Sequence, residues 1–380
     1  METIYALFAF QLVLLGYQSL KIRNLRNNIC RAQDKYLSLI KKNDLRLHDM
    51  YLSLQKWFKQ EALPRELKVL KDETGIVLSQ QKLDIPGALA PYNGALLNIG
   101  NEFLLFFRLD ESGGEGQLLC SKIGSVRLHG DLSVVDGSFL LIDTKSLHSE
   151  DPRVFEHMGI CYLLFNDKGS SPRMPRSLRL AAIDPKTLRL DYMTSFETYS
   201  KETEKNWTAF SHGGEIHFLY AICPQKVLKV LDPRKEKLSL VTEGFTHPFA
   251  LEWTSKWGVL RGGTPATLVD GEYLAFFHSS FEDDLGIRWY VMGAYTFEAS
   301  FPFSMTGISH EPILFDQMYE TKLASTAHPG VRSIYPAGFA IKNVEGKEVI
   351  YLSCGENDSA IKIVTLDKEK LLGSLKKNNK

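Results

Sequence analysis

The sequence predicts an all-β fold, a five-bladed β-propeller with an N-terminal helical extension. Three observations carry this. A turn glycine followed by an apolar strand recurs five times: NIGNEFLLFFR (Asn98 to Arg108), FEHMGICYLLFND (Phe155 to Asp167), SHGGEIHFLYAI (Ser211 to Ile222), LVDGEYLAFFHSS (Leu268 to Ser280) and NVEGKEVIYLSCG (Asn343 to Gly355). The first four copies start about 57 residues apart, and a longer insert precedes the fifth. A strand-built period of that size reads as a propeller or a solenoid, whose units bury their apolar faces on one another. A polar motif precedes each copy at a nearly constant distance: PYNGAL at Asn93, SEDPRV at Asp151, EKNWTAF at Asn206, RGGTPATL at Thr264 and IYPAGFAI at Pro336.

Residues 1–65 form the extension. Ile4 to Gly16 is apolar except for Gln11, which is short of the ~20 apolar residues of a membrane span. No basic segment precedes it, and Lys21, Arg23, Arg26 and Arg31 follow it. If it inserted, that asymmetry would keep the following domain in the cytoplasm. A surface helix, a short anchor and a cleaved signal stay open. Leu37, Ile40, Leu47, Met50, Leu54 and Trp57 recur at helical spacing, and Pro64 marks the end. Residues 1–62 thus offer membrane-surface contact or self-association, or a helix packed on the outside of the strands. The repeats place a propeller catalytic domain over residues 66–370. Residues 371–380 read as a polar, lysine-rich, frayed tail.

The 380 residues carry 45 basic and 45 acidic side chains, so no basic field is present to hold nucleic acid. A hydrophobic fraction of 44% with 11% aromatics suits a sizeable core. The five cysteines show no metal-ligand spacing and favour a reducing compartment. The expected location is the cytoplasm, with the apolar amino terminus as a route to a membrane. No metal and no cofactor are expected. The sequons Asn206-Trp-Thr and Asn357-Asp-Ser read as chance matches.

In a propeller the first strand of each blade lines the central channel. The five polar motifs would then converge on one axis, although Pro, Gly, Asn and Asp also read simply as turn formers. Asp151 is the leading candidate for catalysis. Pro152 is expected to keep it extended, and Arg153 could steer a substrate oxygen or a neighbouring carboxylate. Lys205 and Asn206 side by side suit adjacent sugar hydroxyls, while Trp207 reads as a sugar platform or a buried anchor. In Arg261-Gly-Gly-Thr264-Pro, two glycines allow a close approach of backbone to ligand. Arg108 and His278 end their apolar strands with a polar group and could reach the same cavity. Asp358 is a candidate acceptor for sugar hydroxyls. The fingerprints of serine hydrolases, zinc proteases and nucleotide binders are not found.

The ordered series Glu150-Asp-Pro-Arg153, Lys205-Asn-Trp207, Gly262-Gly-Thr-Pro265, Tyr295-Thr-Phe-Glu with Pro302-Phe, and Gly355-Glu-Asn-Asp358 resembles glycoside hydrolase family 130, the β-mannoside phosphorylases and related β-mannosidases. The resemblance covers roughly residues 85 to 370. It implies a five-bladed propeller with Asp151 as general acid, protonating the glycosidic oxygen through a hydroxyl of the mannose. Phosphate, as co-substrate, then attacks the anomeric carbon with inversion and gives mannose 1-phosphate. Lys205, Asn206 and Asp358 would hold the mannosyl unit, with Asn93, Arg108, Arg153, Thr264 and His278 completing the oligosaccharide site. One departure matters. Where the phosphorylases carry a cationic group that helps bind phosphate, this chain reads Ala221-Ile-Cys-Pro224. Arg179 and Arg261 are substitutes for it. A hydrolase, a mannosyltransferase or a non-catalytic carbohydrate-binding propeller remain alternatives on this scaffold.

Overall fold

A computed structural model describes residues 74–111, 120–167, 177–196, 205–235, 238–245, 247–322 and 330–377. The predicted helical extension over 1–65 lies outside them, as do the Gly-rich loop after Glu111 and the loop after Asp167. Among the described residues no helix is long and apolar enough to cross a membrane.

Strand β1 (Val77–Leu83) comes first in the described chain. A sheet of β2 (Tyr92–Ile99), β3 (Glu102–Glu111), β4 (Cys120–Leu128) and β5 (Leu140–Leu141) follows, paired in that order. The next holds β6 (Ser149–His157), β7 (Ile160–Asp167), β8 (Ser177–Ile183) and β9 (Leu190–Phe196). The third holds β10 (Thr208–His212), β11 (Glu215–Ile222), β12 (Gln225–Val230) and β13 (Leu238–Phe245). Helix α1 (Pro248–Trp257) then leads into β14 (Arg261–Gly262), β15 (Thr267–Val269), β16 (Glu272–Glu282), β17 (Arg288–Glu298), β18 (Met305–Ser309) and β19 (Val331–Arg332). The last strands are β20 (Ile334–Val344), β21 (Lys347–Glu356) and β22 (Ala360–Asp367), with α2 (Lys368–Ser374) and β23 (Leu375–Lys377) after them.

The architecture is all-β and propeller-like. Among the described residues, in place of five equal units there are four regular four-stranded sheets and one sheet of seven strands, built on β14, β16, β17, β18 and β23 with β15 and β19 at its sides. The first described strand closes the last sheet: β1 pairs antiparallel with β22 on the far side of β21 and β20.

Period-two alternation explains why the repeats read as unbroken apolar runs. In FLLFF, Leu104 and Phe106 pack with Leu163 and Phe165 of the following sheet. Phe103, Leu105 and Phe107 pack the other way, with Ile361 and Ile363 of β22. Each sheet is buried on both faces, which calls for hydrophobic residues at every position. Among the described residues five clusters result, each bridging neighbouring sheets, and one of them joins the last sheet to the first.

Two elements differ from expectation. Helix α1 was not anticipated between two strand repeats. His247 caps it, Pro248 opens it, and Ala250, Trp253 and Trp257 form its buried face. The predicted tail is ordered as far as Lys377. Leu371 and Leu375 stand four residues apart and are both buried, and β23 pairs with β18 in the register Ser309↔Leu375. Two apolar side chains at helical spacing outweighed the surrounding lysines.

Candidate active site

The innermost strands pack side by side, β2 against β6 and β20, and β6 against β10. Three of the repeat-equivalent positions share one backbone feature: Asn93, Asp151 and Asn206 have φ of 51°, 51° and 65°. This is the left-handed region that non-glycine residues seldom adopt. At Asn93 and Asp151 the strand register also shifts, between Tyr92 and Ala95 and between Glu150 and Arg153. A bulge re-aims a side chain away from the pleat, and here it brings polar groups from separate sheets together. The extended state expected for Asp151 from Pro152 is therefore not adopted; the bulge overrides it.

Asp151 is the hub. Its Oδ1 accepts from Asn93 Nδ2 at 2.7 Å and from Arg108 Nη1 at 3.4 Å, and its Oδ2 accepts from Asn166 Nδ2 at 3.5 Å. Gly355 is what lets Asn93 come so close. A Cβ there would stand 2.0 Å from Asn93 Oδ1. The strand pairings put Gly355 opposite Tyr335, as Arg108 is opposite Tyr92, Asn166 opposite Glu150 and His278 opposite Arg261. These four residues are thus equivalent, and the side-chain-free one accommodates its neighbour.

Arg108 is shared among three carboxylates. Its Nε lies 2.9 Å from Asp110, while its terminal nitrogens lie 3.3 Å from Glu150 and 3.4 Å from Asp151. Asp110 also accepts from Tyr92 Oη at 2.6 Å and Ser121 Oγ at 2.8 Å. Arg153 is fully buried and serves the scaffold. It donates to Gly263 O at 2.6 Å, to the Asp151 carbonyl at 3.3 Å and to Asn206 Oδ1 at 3.2 Å. Burial pulls its pKa down to about 10, against the opposing pull of Asp151. Asn206 Oδ1 also accepts from Tyr335 Oη at 3.2 Å, so two donors fix the amide oxygen.

The two candidate carboxylates are driven apart. Burial acts to raise the Asp151 pKa. The Arg108 charge, the Asn93 hydrogen bond, Lys205 and Arg153 together outweigh it and hold the group at about 2. Asp358 lies in the turn between β21 and β22. Its side chain is accessible, but the surrounding protein desolvates it, and the charges of Asp151 and Asp110 add to that effect. Its pKa rises to about 6, against the opposing pull of Arg108 and Lys205. A pair of acids tuned apart in this way divides into a proton acceptor and a proton holder.

His278 is buried, its ring 4.7 Å from that of Tyr335, and its Nδ1 lacks a hydrogen-bond partner among the described residues. Burial, with Arg261, Arg153 and Lys205, pushes its pKa well below the usual value despite Asp151. It is a neutral imidazole within the field of two exposed cations, Lys205 and Arg261.

The structure gathers Asn93, Arg108, Asp151, Arg153 and Asn206 by direct contact, and places Lys205, His278, Arg261 and Asp358 within the same electrostatic field. Thr264 is different. It is fully buried and its Oγ1 accepts from the backbone of Phe276, so it supports the loop rather than facing a ligand. Arg179, on β8 two strands out from β6, pairs with Asp167 at the end of β7, and no contact among the described residues joins it to Asp151. Trp207 is a core anchor among Phe196, Phe218 and Tyr220. Asn357 is buried, with its amide donating to Tyr319 O and Thr321 O, in keeping with a chance sequon. Sequence reasoning missed Asn166, Asp110, Tyr92 and Tyr335. Asn166 had a signal, since it ends YLLFN as Arg108 ends FLLFFR and His278 ends LAFFH. Among the described residues, no group of three His, Cys, Asp or Glu is placed to hold a metal ion.

No family model matches the sequence, and no curated protein matches it. Solved structures do resemble it. A β-1,2-mannobiose phosphorylase from Listeria innocua aligns over 83% of this chain and 97% of its own, at 14% identity and a TM-score of 0.53. A GDP-Man-dependent mannosyltransferase from Leishmania mexicana aligns over 77% and 90%, at 13% identity and a TM-score of 0.54. A structure from the GH130 family of mannoside phosphorylases, which contains glycoside hydrolases that target β-1,2-mannosidic linkages in Candida mannan, aligns over 74% and 85%, at 14% identity and a TM-score of 0.51. Likeness at this level of identity establishes the fold, and the fold is one this chain shares with mannoside phosphorylases of glycoside hydrolase family 130.

Proposed function

We propose that this chain is a carbohydrate-active enzyme acting on β-mannosides, with the seven-stranded sheet counted as the fifth blade and the Asp151 cluster as its active site. The reaction is inverting phosphorolysis. Phosphate attacks the anomeric carbon, the bond from that carbon to the aglycone oxygen breaks, and the proton on Asp151 passes to that oxygen through a mannosyl hydroxyl. Mannose 1-phosphate and the free aglycone leave. No cofactor is needed, and inorganic phosphate is the co-substrate.

One observation carries this reading: Asn93 and Asp151 on bulged inner strands, with Asn206 just ahead of β10, share one cluster, and the proton affinities of Asp151 and Asp358 there are set apart. Asn206 Nδ2, Lys205 and Asp358 hold the mannosyl hydroxyls. Lys205, Arg261 and the neutral His278 offer an anion two charges and a hydrogen-bond partner, which makes up for the apolar Ala221–Pro224 hairpin. Asp151 begins ionised, so phosphorolysis requires it to gain a proton first, and Asp358, whose pKa is raised to about 6, is the neighbouring carboxylate that holds one to higher pH.

The same ionised Asp151 favours a second reading, mannosyl transfer. There the carboxylate accepts the proton of an acceptor hydroxyl, that oxygen bonds to the anomeric carbon, and the phosphate group of the donor leaves. Product analysis separates the two. β-Mannobiose with inorganic phosphate gives mannose 1-phosphate under the first reading. Under the second it gives none, and a mannosyl phosphate donor extends an acceptor sugar. Free mannose with or without phosphate identifies a hydrolase.

A further inference from the structure

A cleft outside the Asp151 cluster is left without a role. A cleft of about 910 Å³ lies between β1, the turn after β21 and the segment 317–322. Its size is within the ~300–1,000 Å³ usual for ligand sites. Its lining stands next to site residues along the chain at two places. Ser359 on the rim follows Asp358, and Ala90 lies two residues before Tyr92 and three before Asn93.

We propose that this cleft is a second carbohydrate subsite, which holds the distal sugars of a mannoside chain whose reacting unit sits at Asp151. The inference rests on the mannoside reading above. The lining mixes three amides, Gln80, Gln81 and Gln317, with the charges of Lys82, Glu320, Lys322 and Lys362, while the Thr321 hydroxyl gives its proton to Glu356 and keeps only its lone pairs for a ligand. Leu89 is its only large exposed apolar side chain, which disfavours a lipid or an apolar helix. Planar amides each offer a donor and an acceptor, which matches the paired hydroxyls of a pyranose.

The walls are built rather than incidental. Gln80 Nε2 donates to Gln317 Oε1 at 3.1 Å, and Gln81 Nε2 donates to Leu132 O at 3.5 Å. That leaves the Gln80 and Gln81 oxygens and Gln317 Nε2 to serve a ligand. The far wall is pinned from beneath. Buried Glu356 accepts from the backbone nitrogens of Tyr319 and Thr321, and Lys362 Nζ lies 2.9 Å from Glu356 and donates to Gln317 O at 2.5 Å. A carboxylate–lysine pair buried under a surface segment holds that segment in one position, as a preformed subsite requires.

The test compares chain lengths. Parent and a Gln80→Ala/Gln81→Ala variant are assayed on β-linked mannobiose and mannotetraose, with phosphate and with a mannosyl phosphate donor. Both residues lie on an edge strand outside the core, and a thermal melt checks that the variant is folded. The expected result is a drop of about tenfold in kcat/KM for the tetraose, as loss of one or two hydrogen bonds gives, with the biose unchanged. Equal effects on both substrates, or none on either, overturn the proposal. If the biose is not turned over at all, the mannoside reading fails first. Calorimetric titration with mannotetraose then decides the cleft: binding that weakens in the variant supports it, and no binding or unchanged binding overturns it.

Discussion

Asp151→Asn separates chemistry from scaffold. The substitution keeps the shape. The new amide oxygen can still accept from Asn93 and Arg108, and its NH₂ would face Asn166, whose Oδ1 has no partner and can be turned to receive it. Arg108 keeps Asp110 and Glu150. What is lost is a carboxylate held at about 2 instead of the ordinary 3.8. At 1.36 kcal/mol per unit, that difference contributes on the order of 2 kcal/mol at pH 7. The sign follows from the depressed pKa. The contribution is full above about pH 4, falls to roughly half by pH 3, and vanishes as the pH drops through the folded-state value. The variant should therefore melt about 4 °C lower at neutral pH, by a margin that narrows toward pH 3, while turnover falls by about 10²–10⁴-fold. Thermal melts from pH 7 to pH 3 and initial rates on β-mannobiose measure both. Turnover within a few fold of the parent, or a stability gap that does not change with pH, would refute the reasoning.

Four further outcomes are expected. Gly355→Ala places a methyl group 2.0 Å from Asn93 Oδ1, so it should displace Asn93 and lower kcat by more than about tenfold; unchanged kinetics would remove Asn93 from the site. Arg261→Ala, at an exposed position, should raise the KM for phosphate with little change in Tm, and an unchanged KM would assign phosphate to other groups. The phosphorolysis rate should fall as pH rises through about 6, the Asp358 value set by burial and by Arg108, Asp151, Asp110 and Lys205; Asp358→Asn should remove that limb along with most activity, and a limb that persists would belong to another group. Leu371→Ala, at a fully buried site in α2, should cost about 2–4 kcal/mol in a denaturant melt, whereas a cost near zero would detach the carboxyl terminus from the core.

The repeats were legible because each strand is buried on both faces. Runs such as FLLFF and YLLF leave no polar position to blur the pattern, and the turn glycines mark each hairpin. The axial residues were legible for a related reason, since polar groups at fixed distance before an apolar run are conspicuous. Their roles were less so. Thr264 and Asn206 occupy comparable motifs, yet one hydroxyl turns to its own sheet while the other residue adopts a left-handed backbone that faces the axis. That choice is set by local backbone conformation at the strand entry, which residue type does not encode. Arg108 and Arg153 looked alike as free cations. The structure spends one on three carboxylates and the other on backbone carbonyls, a matter of long-range placement. Helix α1 was hidden because one buried face on ten residues resembles strand-flanking loop in a chain dominated by period two. The α2–β23 terminus was masked by lysines around two leucines.

The most direct measurement is a crystal structure of the Asp151→Asn variant with β-mannobiose and phosphate. The account predicts a mannosyl ring within hydrogen-bond distance of Asn206 Nδ2 and Asp358, its glycosidic side toward position 151, and phosphate against Lys205, Arg261 and His278. A ring bound away from Asp358 and Asn206, or sugar absent from the axis while bound elsewhere, would contradict it.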